Sequence, residues 1–192
     1  MIHLKLRQQG MVVNYKRVER LYQEAGLQVR RRKRKKVPVG ERQPLLRPLA
    51  ANEVWSMDFV FDRTAEGRVV KCLTIVDDAT HEAVAIEVER AISGQGVSRV
   101  LDRLAMQRGL PRVIRTDNGK EFCGKAMVAW AHKKGVVLRL IEPSKLNQNA
   151  YVETFNGRLR DECPTEHWFP TLLQARTSIE SWRRDYNEER PK

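Results

Sequence analysis

Three β-type runs in close succession, Trp55–Phe61 (WSMDFVF), Val69–Asp77 (VVKCLTIVD) and Ala83–Glu89 (AVAIEVE), most constrain what this chain can fold into. Each is β-branched or aromatic in character, and the segments between them, Asp62 to Gly67 and Asp78 to Glu82, carry turn residues. They predict three consecutive strands in a meander. After them Val97, Val100, Leu101, Leu104 and Met106 recur at helical spacing up to Gly109, and Pro111 precedes a short strand, Val113–Thr116. A helix over Lys125–Lys134 stops at Gly135 before the strand Val136–Ile141, and helices over Tyr151–Arg160 and Leu172–Tyr186 close the chain. The order βββαβαβαα describes an α/β fold, a mixed five-stranded sheet with an antiparallel side and helices packed around it.

Charge separates the start of the chain from the rest. Residues 1–52 hold 14 Lys and Arg against three acids, whereas residues 53–192 hold 22 against 21, so almost all of the net charge of +12 lies in the first quarter. A polyanionic partner gripped there is the natural inference, because each neutralised phosphate releases counterions; the alternative is a solvated basic tail. Within this quarter Asn14 reads as the N-cap of a helix that ends at Gly26, Ile2–Gln9 as the tail of a preceding helix, and Gln9-Gly10-Met11 as the turn between them. Together they suggest part of a helix-turn-helix at residues 1–36, which includes the basic run Arg30, Arg31, Arg32, Lys33, Arg34, Lys35 and Lys36. A proline-bearing linker follows over residues 37–52, and a core domain over 53–192.

Several classes are set aside. No apolar run approaches the roughly 18 residues of a membrane span, and nothing at the start resembles a signal peptide, so a cytoplasmic protein is expected, nucleoid-associated when bound. Cys72, Cys123 and Cys163 stand far apart and are odd in number, which indicates neither a disulfide framework nor a zinc site; they read as small core or helix residues. Trp130, Trp168 and Trp182 read as core.

Three acids carry the chemistry. Asp58 sits mid-strand in an apolar run, where an ionised group is costly without compensation. Asp117 directly follows the strand Val113–Thr116, at the end where open α/β sheets place functional groups; an Asx-turn is its bland alternative. Glu153 lies in the first turn of a helix, where a dipole-favoured surface acid is the alternative. Thirty-five residues separate Asp117 from Glu153, and the αβ unit between them would return the chain to the same sheet edge. Three converging carboxylates repel one another unless hard divalent cations bridge them, and two such ions suit in-line displacement at phosphorus. Mg²⁺ is the expected ion, with Mn²⁺ as a substitute. The Asp77-Asp78 pair also ends a strand and reads as a turn beginning the next hairpin, with an indirect influence on the acids open to it, and Glu121, four residues after Asp117, as a hydrogen-bonding neighbour of the acids.

At WSMDFVFD (Trp55–Asp62), LTIVDDATHE (Leu73–Glu82), RTDNGKEF (Arg115–Phe122) and above all NQNAYVETFNGRLRDEC (Asn147–Cys163), the chain resembles the second-reading-frame transposases of bacterial insertion sequences. That resemblance implies a DDE catalytic core of the retroviral-integrase, RNase H-like fold, with Asp58, Asp117 and Glu153 as the catalytic and metal-binding triad. It implies DNA as partner, both element ends and target, a homo-oligomer during synapsis, and an upstream-frame DNA-binding partner. Water would attack at the element end to expose a 3′-hydroxyl, which then attacks a target phosphodiester. The sequence departs from the pattern at Ser144-Lys145-Leu146, where Gly-Lys-Pro is usual, and at His81, where Arg is usual and an exposed turn residue is expected here. It starts inside the helix-turn-helix and stops at Arg190-Pro191-Lys192, where relatives continue, so it reads as a fragment.

The residues expected on DNA surround the triad. On the Glu153 helix, Asn156, Gly157 and Arg160 share its face, with Arg158 adjacent, and Gly157 permits close backbone approach. Lys145, Asn147, Gln148 and Asn149 precede that helix and would meet the DNA end. Two competing readings are a ribonuclease H, whose acids number four at other spacings, and a truncated, non-catalytic DNA-binding remnant or regulator of an insertion element.

Overall fold

The computed structural model describes residues 3, 6–7, 10–27, 48–141, 149–163 and 169–188. They fall in two compact units, Met1–Gln43 and Pro44–Lys192. In the first, helix α1 (Tyr15–Glu24) begins where the Asn14 side chain accepts a hydrogen bond from the Lys16 amide at 2.9 Å. It ends at Ala25, beyond which Gly26 takes a φ of +66° that a Cβ would strain. Ahead of it, Gly10 at φ +80° turns the chain, and the amides of Gly10 and Met11 close on the carbonyls of Arg7 and Leu6. Most of the expected preceding helix, the basic run Arg30–Lys36 and residues 37–47 of the linker lie outside the described residues.

The second unit is built on a five-stranded sheet of β1 (Val54–Arg63), β2 (Val69–Asp77), β3 (Ala83–Glu89), β4 (Val113–Thr116) and β5 (Val137–Leu140), in the order β3-β2-β1-β4-β5. β1–β2 and β2–β3 pair antiparallel, and β1–β4 and β4–β5 parallel, so the sheet is mixed as the sequence predicts. β1 runs to Arg63, past the expected start of the turn, because Asp62 and Arg63 still pair with Val70 and Val69. The turn closes only at Thr64, whose amide donates to Arg68 O. A register shift between Ile75 and Val76 interrupts the β2–β3 ladder.

One face of the sheet is covered by α2 (Gly94–Arg108) and α4 (Lys125–Lys134). Trp55, Met57, Leu73, Ile75 and Ile114 of the strands meet Val97, Leu101 and Leu104 of α2 and Met127 and Trp130 of α4 there. Each such side chain contributes about 1.5–3 kcal/mol on leaving water. Ser93 caps α2 through its hydroxyl, and Gly135 ends α4 in the left-handed region. Between β4 and α4 lies α3 (Lys120–Cys123), a single turn anchored by buried Phe122, which is too short to show periodicity in sequence.

The other face carries α5 (Ala150–Glu162) and α6 (Leu172–Glu188). Val60, Val70, Cys72 and Val88 pack on Leu159, Cys163, Ala175 and Ile179. Val76 and Ala83 pack on Val152, Phe155 and Tyr186. Cys72 and Cys163 are buried as expected, whereas Cys123 is exposed at the end of α3. Trp130 is buried and Trp182 half-buried; Trp168 lies outside the described residues.

Candidate active site

The β1–β4 pairing ends at Ser56 opposite Arg115, and two residues further along the chain from each stand Asp58 and Asp117. Strand alternation puts Ser56, Asp58 and Val60 on the face beneath α5, and α5 brings Glu153 in its first turn. Asp58 is the most enclosed of the three acids. Its Oδ1 accepts from the Phe59 amide at 2.7 Å, and its Oδ2 from Asn156 Nδ2 at 2.9 Å. Burial pushes the Asp58 carboxyl above the usual carboxylate range and the Asp117 charge adds to this, while the Phe59 amide, the Asn156 amide and the Arg160 charge pull it down. Glu153 is likewise raised by burial and then by the charge of Asp58. Asp58 is therefore coupled to each of the other two acids.

Asp117 heads an Asx-turn, its Oδ1 accepting from the Gly119 amide at 2.9 Å. A Cβ on Gly119 would stand 2.9 Å from that same oxygen, so the position has no room for a side chain. The Asx-turn and the catalytic reading of Asp117 are compatible, since the second carboxylate oxygen stays available.

The donor set offers hard oxygens: three carboxylates and the buried amide oxygens of Asn149 and Asn156, neither of which has a hydrogen-bond partner. That chemistry fits a hard divalent cation. Among the described residues, however, no group of three or more His, Cys, Asp and Glu side chains stands close enough together to hold a metal ion. Asp58 and Asp117 each give one oxygen to a local backbone amide, of Phe59 and Gly119, and Asp58 gives its other to the Asn156 side chain of α5.

The remaining site residues separate into three sets. Arg158 and Arg160 are exposed on α5. Asn156 is 1% exposed and Asn149 2%, so these two expected DNA contacts are buried instead, Asn156 because its amide is committed to Asp58. Lys145, Asn147, Gln148 and Arg30, Arg31, Arg32, Lys33 and Arg34 lie outside the described residues. Glu121 pairs with Lys71 rather than with the acids, and Lys71 Nζ sits 3.9 Å from the centre of the Phe59 ring. The Asn156–Asp58 bond spans 98 residues of sequence, so local pattern could not reveal it; the only sequence signal was that Asn156 shares a helix face with Glu153.

Comparison with known proteins decides the family. Residues 48–145 and 134–192 each match the Integrase core domain family, and residues 1–35 match an HTH-like domain. The chain belongs to the integrase core family. An insertion element IS407 protein of 31.7 kDa from Burkholderia multivorans is 54% identical over 99% of this chain and 69% of its own length. An insertion element IS476 protein of 39.2 kDa from Xanthomonas euvesicatoria is also 54% identical over 99% of the chain, which spans 55% of that protein. The HTLV-2 integrase catalytic core domain, solved in complex with magnesium in a trimeric form, superposes with a TM-score of 0.60 at 17% identity over 75% of this chain and 90% of that one. The integrase core chain thus has the RNase H-like fold and stands among the DDE transposases and integrases of insertion elements. Among the described residues, no helix is long and apolar enough to cross a membrane.

Proposed function

We propose that this chain cleaves and joins DNA strands, with Asp58, Asp117 and Glu153 as the residues that hold divalent cations at the reacting phosphate. The observation that carries the proposal is geometric: Asp58 and Asp117 follow the paired ends of β1 and β4, and α5, which carries Glu153 in its first turn, is bonded to Asp58 through Asn156, in a chain of the integrase core family. Asp58 and Glu153, both raised by burial and by the charge of a neighbouring acid, are poised to bind cations, whose charge relieves the repulsion. Mg²⁺, two ions with Mn²⁺ as substitute, would supply the charge that activates the attacking oxygen and stabilises the leaving one. The magnesium in the HTLV-2 core supports this choice.

The chain's own part is positional. Asn156 orients the Asp58 carboxylate from α5. Arg158 and Arg160 face phosphates, and Gly157 keeps the helix surface low between them, since a Cβ there would meet nothing of the protein within 4 Å. Lys145, Asn147 and Gln148 approach the DNA end, and Arg30–Arg34 grip the duplex within a DNA-binding segment 1–36, joined by linker 37–52 to core 53–192. The working form is a homo-oligomer in the bacterial cytoplasm, aided by an upstream-frame DNA-binding partner.

The test incubates the protein with a labelled element-end duplex and a plasmid target in Mg²⁺ or Mn²⁺, beside Asp117→Asn and Glu153→Gln. Metal-dependent joined products lost in both variants are expected. Binding without nicking or joining by the wild-type chain would sink the proposal and leave the non-catalytic DNA-binding reading.

A further inference from the structure

The turn between β2 and β3 touches every element that carries an acid of the site. Asp77 and Asp78, which read in the sequence as a turn with an indirect influence on the acids open to it, are both fully buried. Asp77 Oδ1 accepts from the amides of Ala79 and Thr80 and so folds the turn, while its Oδ2 accepts from the Asn52 amide at 2.7 Å, just ahead of β1. The Asp78 amide donates to Val54 O at the start of β1. Its carboxylate accepts from Arg115 Nη1 at 2.7 Å, an ion pair that is 5% and 0% exposed, and Arg115 lies two residues before Asp117 on β4.

His81 completes the set. It is half-buried rather than exposed, and it takes a φ of +59°, a left-handed conformation that a residue with a Cβ adopts at a cost. Its amide donates to Asp77 O at 2.8 Å, which locks that conformation. Its ring then meets the Tyr151 ring at 5.0 Å between centroids, inclined at 53°. Tyr151 is in the first turn of α5, two residues before Glu153. Its neighbour Val152 is fully buried against Val76 and Ala83, the residues that flank this turn.

We propose that the Asp77–His81 turn is a strut that sets the spacing of the site, with Asp78 positioning β4 and Asp117 through Arg115, and His81 positioning the first turn of α5 and Glu153 through Tyr151. These are positioning residues; none touches the reacting atoms. The inference rests on the proposed role of the three acids, but its structural half does not depend on it.

Removing a member of the buried Asp78–Arg115 pair can unfold the chain, so the test uses the aromatic contact. His81→Gly removes the ring and suits the positive φ; Tyr151→Ala removes the other ring, and Tyr151→Phe keeps it. Amide hydrogen exchange is followed over residues 150–160, together with strand joining as kcat and as KM for the element-end duplex. Faster exchange confined to that segment in His81→Gly and Tyr151→Ala is expected, with kcat down about tenfold to a hundredfold, KM unchanged, and both restored in Tyr151→Phe. Unchanged exchange over 150–160, or exchange raised equally across the whole chain, overturns the strut. A wild-type chain that joins no DNA counts against the proposed function, and the exchange result still decides the strut.

Discussion

The two faces of the sheet are built to different ends. Beneath α2 and α4 the strands contribute Trp55, Met57, Leu73, Ile75 and Ile114 to one apolar layer, and its charged member, Lys71, stands over Phe59 and Phe61 and donates to Glu121 and to Ile92 O. Beneath α5 the same strands bury Ser56, Thr74, Asp78 and Arg115 and half-bury Asp58, and α5 adds buried Asn156. Two buried amide oxygens in and around this second set, Asn149 Oδ1 and Asn156 Oδ1, have no hydrogen-bond partner. Each such atom costs about 1–3 kcal/mol. The first face secures the fold so that the second can hold groups that folding alone would not select.

The largest effect that sharpens this contrast is on chemistry. Asp117→Asn and Glu153→Gln should each cut strand joining by about 10²–10³-fold while leaving the thermal midpoint unchanged or higher, because each removes a like charge from the acid set. Joined products and circular-dichroism melts measure the two together, and a variant that loses stability in step with activity breaks the contrast. On the apolar face the order reverses: Leu101→Ala, at a fully buried site, should cost about 2–5 kcal/mol in urea unfolding. A cost under about 1 kcal/mol would mean that this layer collapses easily and does not carry the fold.

Burial pushes the Asp78 carboxyl up to about 6 against the pull of Arg115. As a folded-state value above the unfolded one, it favours folding below about pH 4 and loses that contribution as pH rises through about 6, a change of about 3 kcal/mol. Unfolding free energies across pH 4–7 should carry this slope in the wild type, and Asp78→Asn, though less stable throughout, should lack it. Equal slopes in the two would assign the pH dependence to other groups. The smallest effect is at Gly157, where Ala should stabilise α5 by about 0.5–1 kcal/mol and still weaken DNA joining. Stabilisation without any loss on DNA would remove Gly157 from the interface.

Local pattern carried the elements well where a Gly or turn residue bounds them. The helix expected at Lys125–Lys134 and the strands at Val69–Asp77, Ala83–Glu89 and Val113–Thr116 have those very bounds. What escaped the sequence is what depends on distant partners. Glu121 reads as a neighbour of the acids until Lys71, 50 residues away in sequence, is seen to take it. Asn156 reads as a DNA contact until Asp58 claims its amide. His81 reads as an exposed turn residue until α5 brings Tyr151 against it. Cys123, read as a small core or helix residue, takes the second place, exposed at the end of the single-turn α3.

The register shift between Ile75 and Val76 makes the β2–β3 connection a measured length rather than a free loop. A sheet sends alternate side chains to opposite sides, and the shift inserts one extra step: Val84 joins the layer under α2 and α4 and Ala85 packs beside it, while Ala83 keeps its place against Val152 and Phe155. A residue added to or removed from the turn itself, between Asp78 and Glu82, would have to be taken up at that step or would carry Asp78 and His81 away from Arg115 and Tyr151. The two tips of the meander are equal in length, but the one between β2 and β3 is tied to β4 through Arg115 and to α5 through Tyr151, so insertions that the tip between β1 and β2 absorbs would dismantle it.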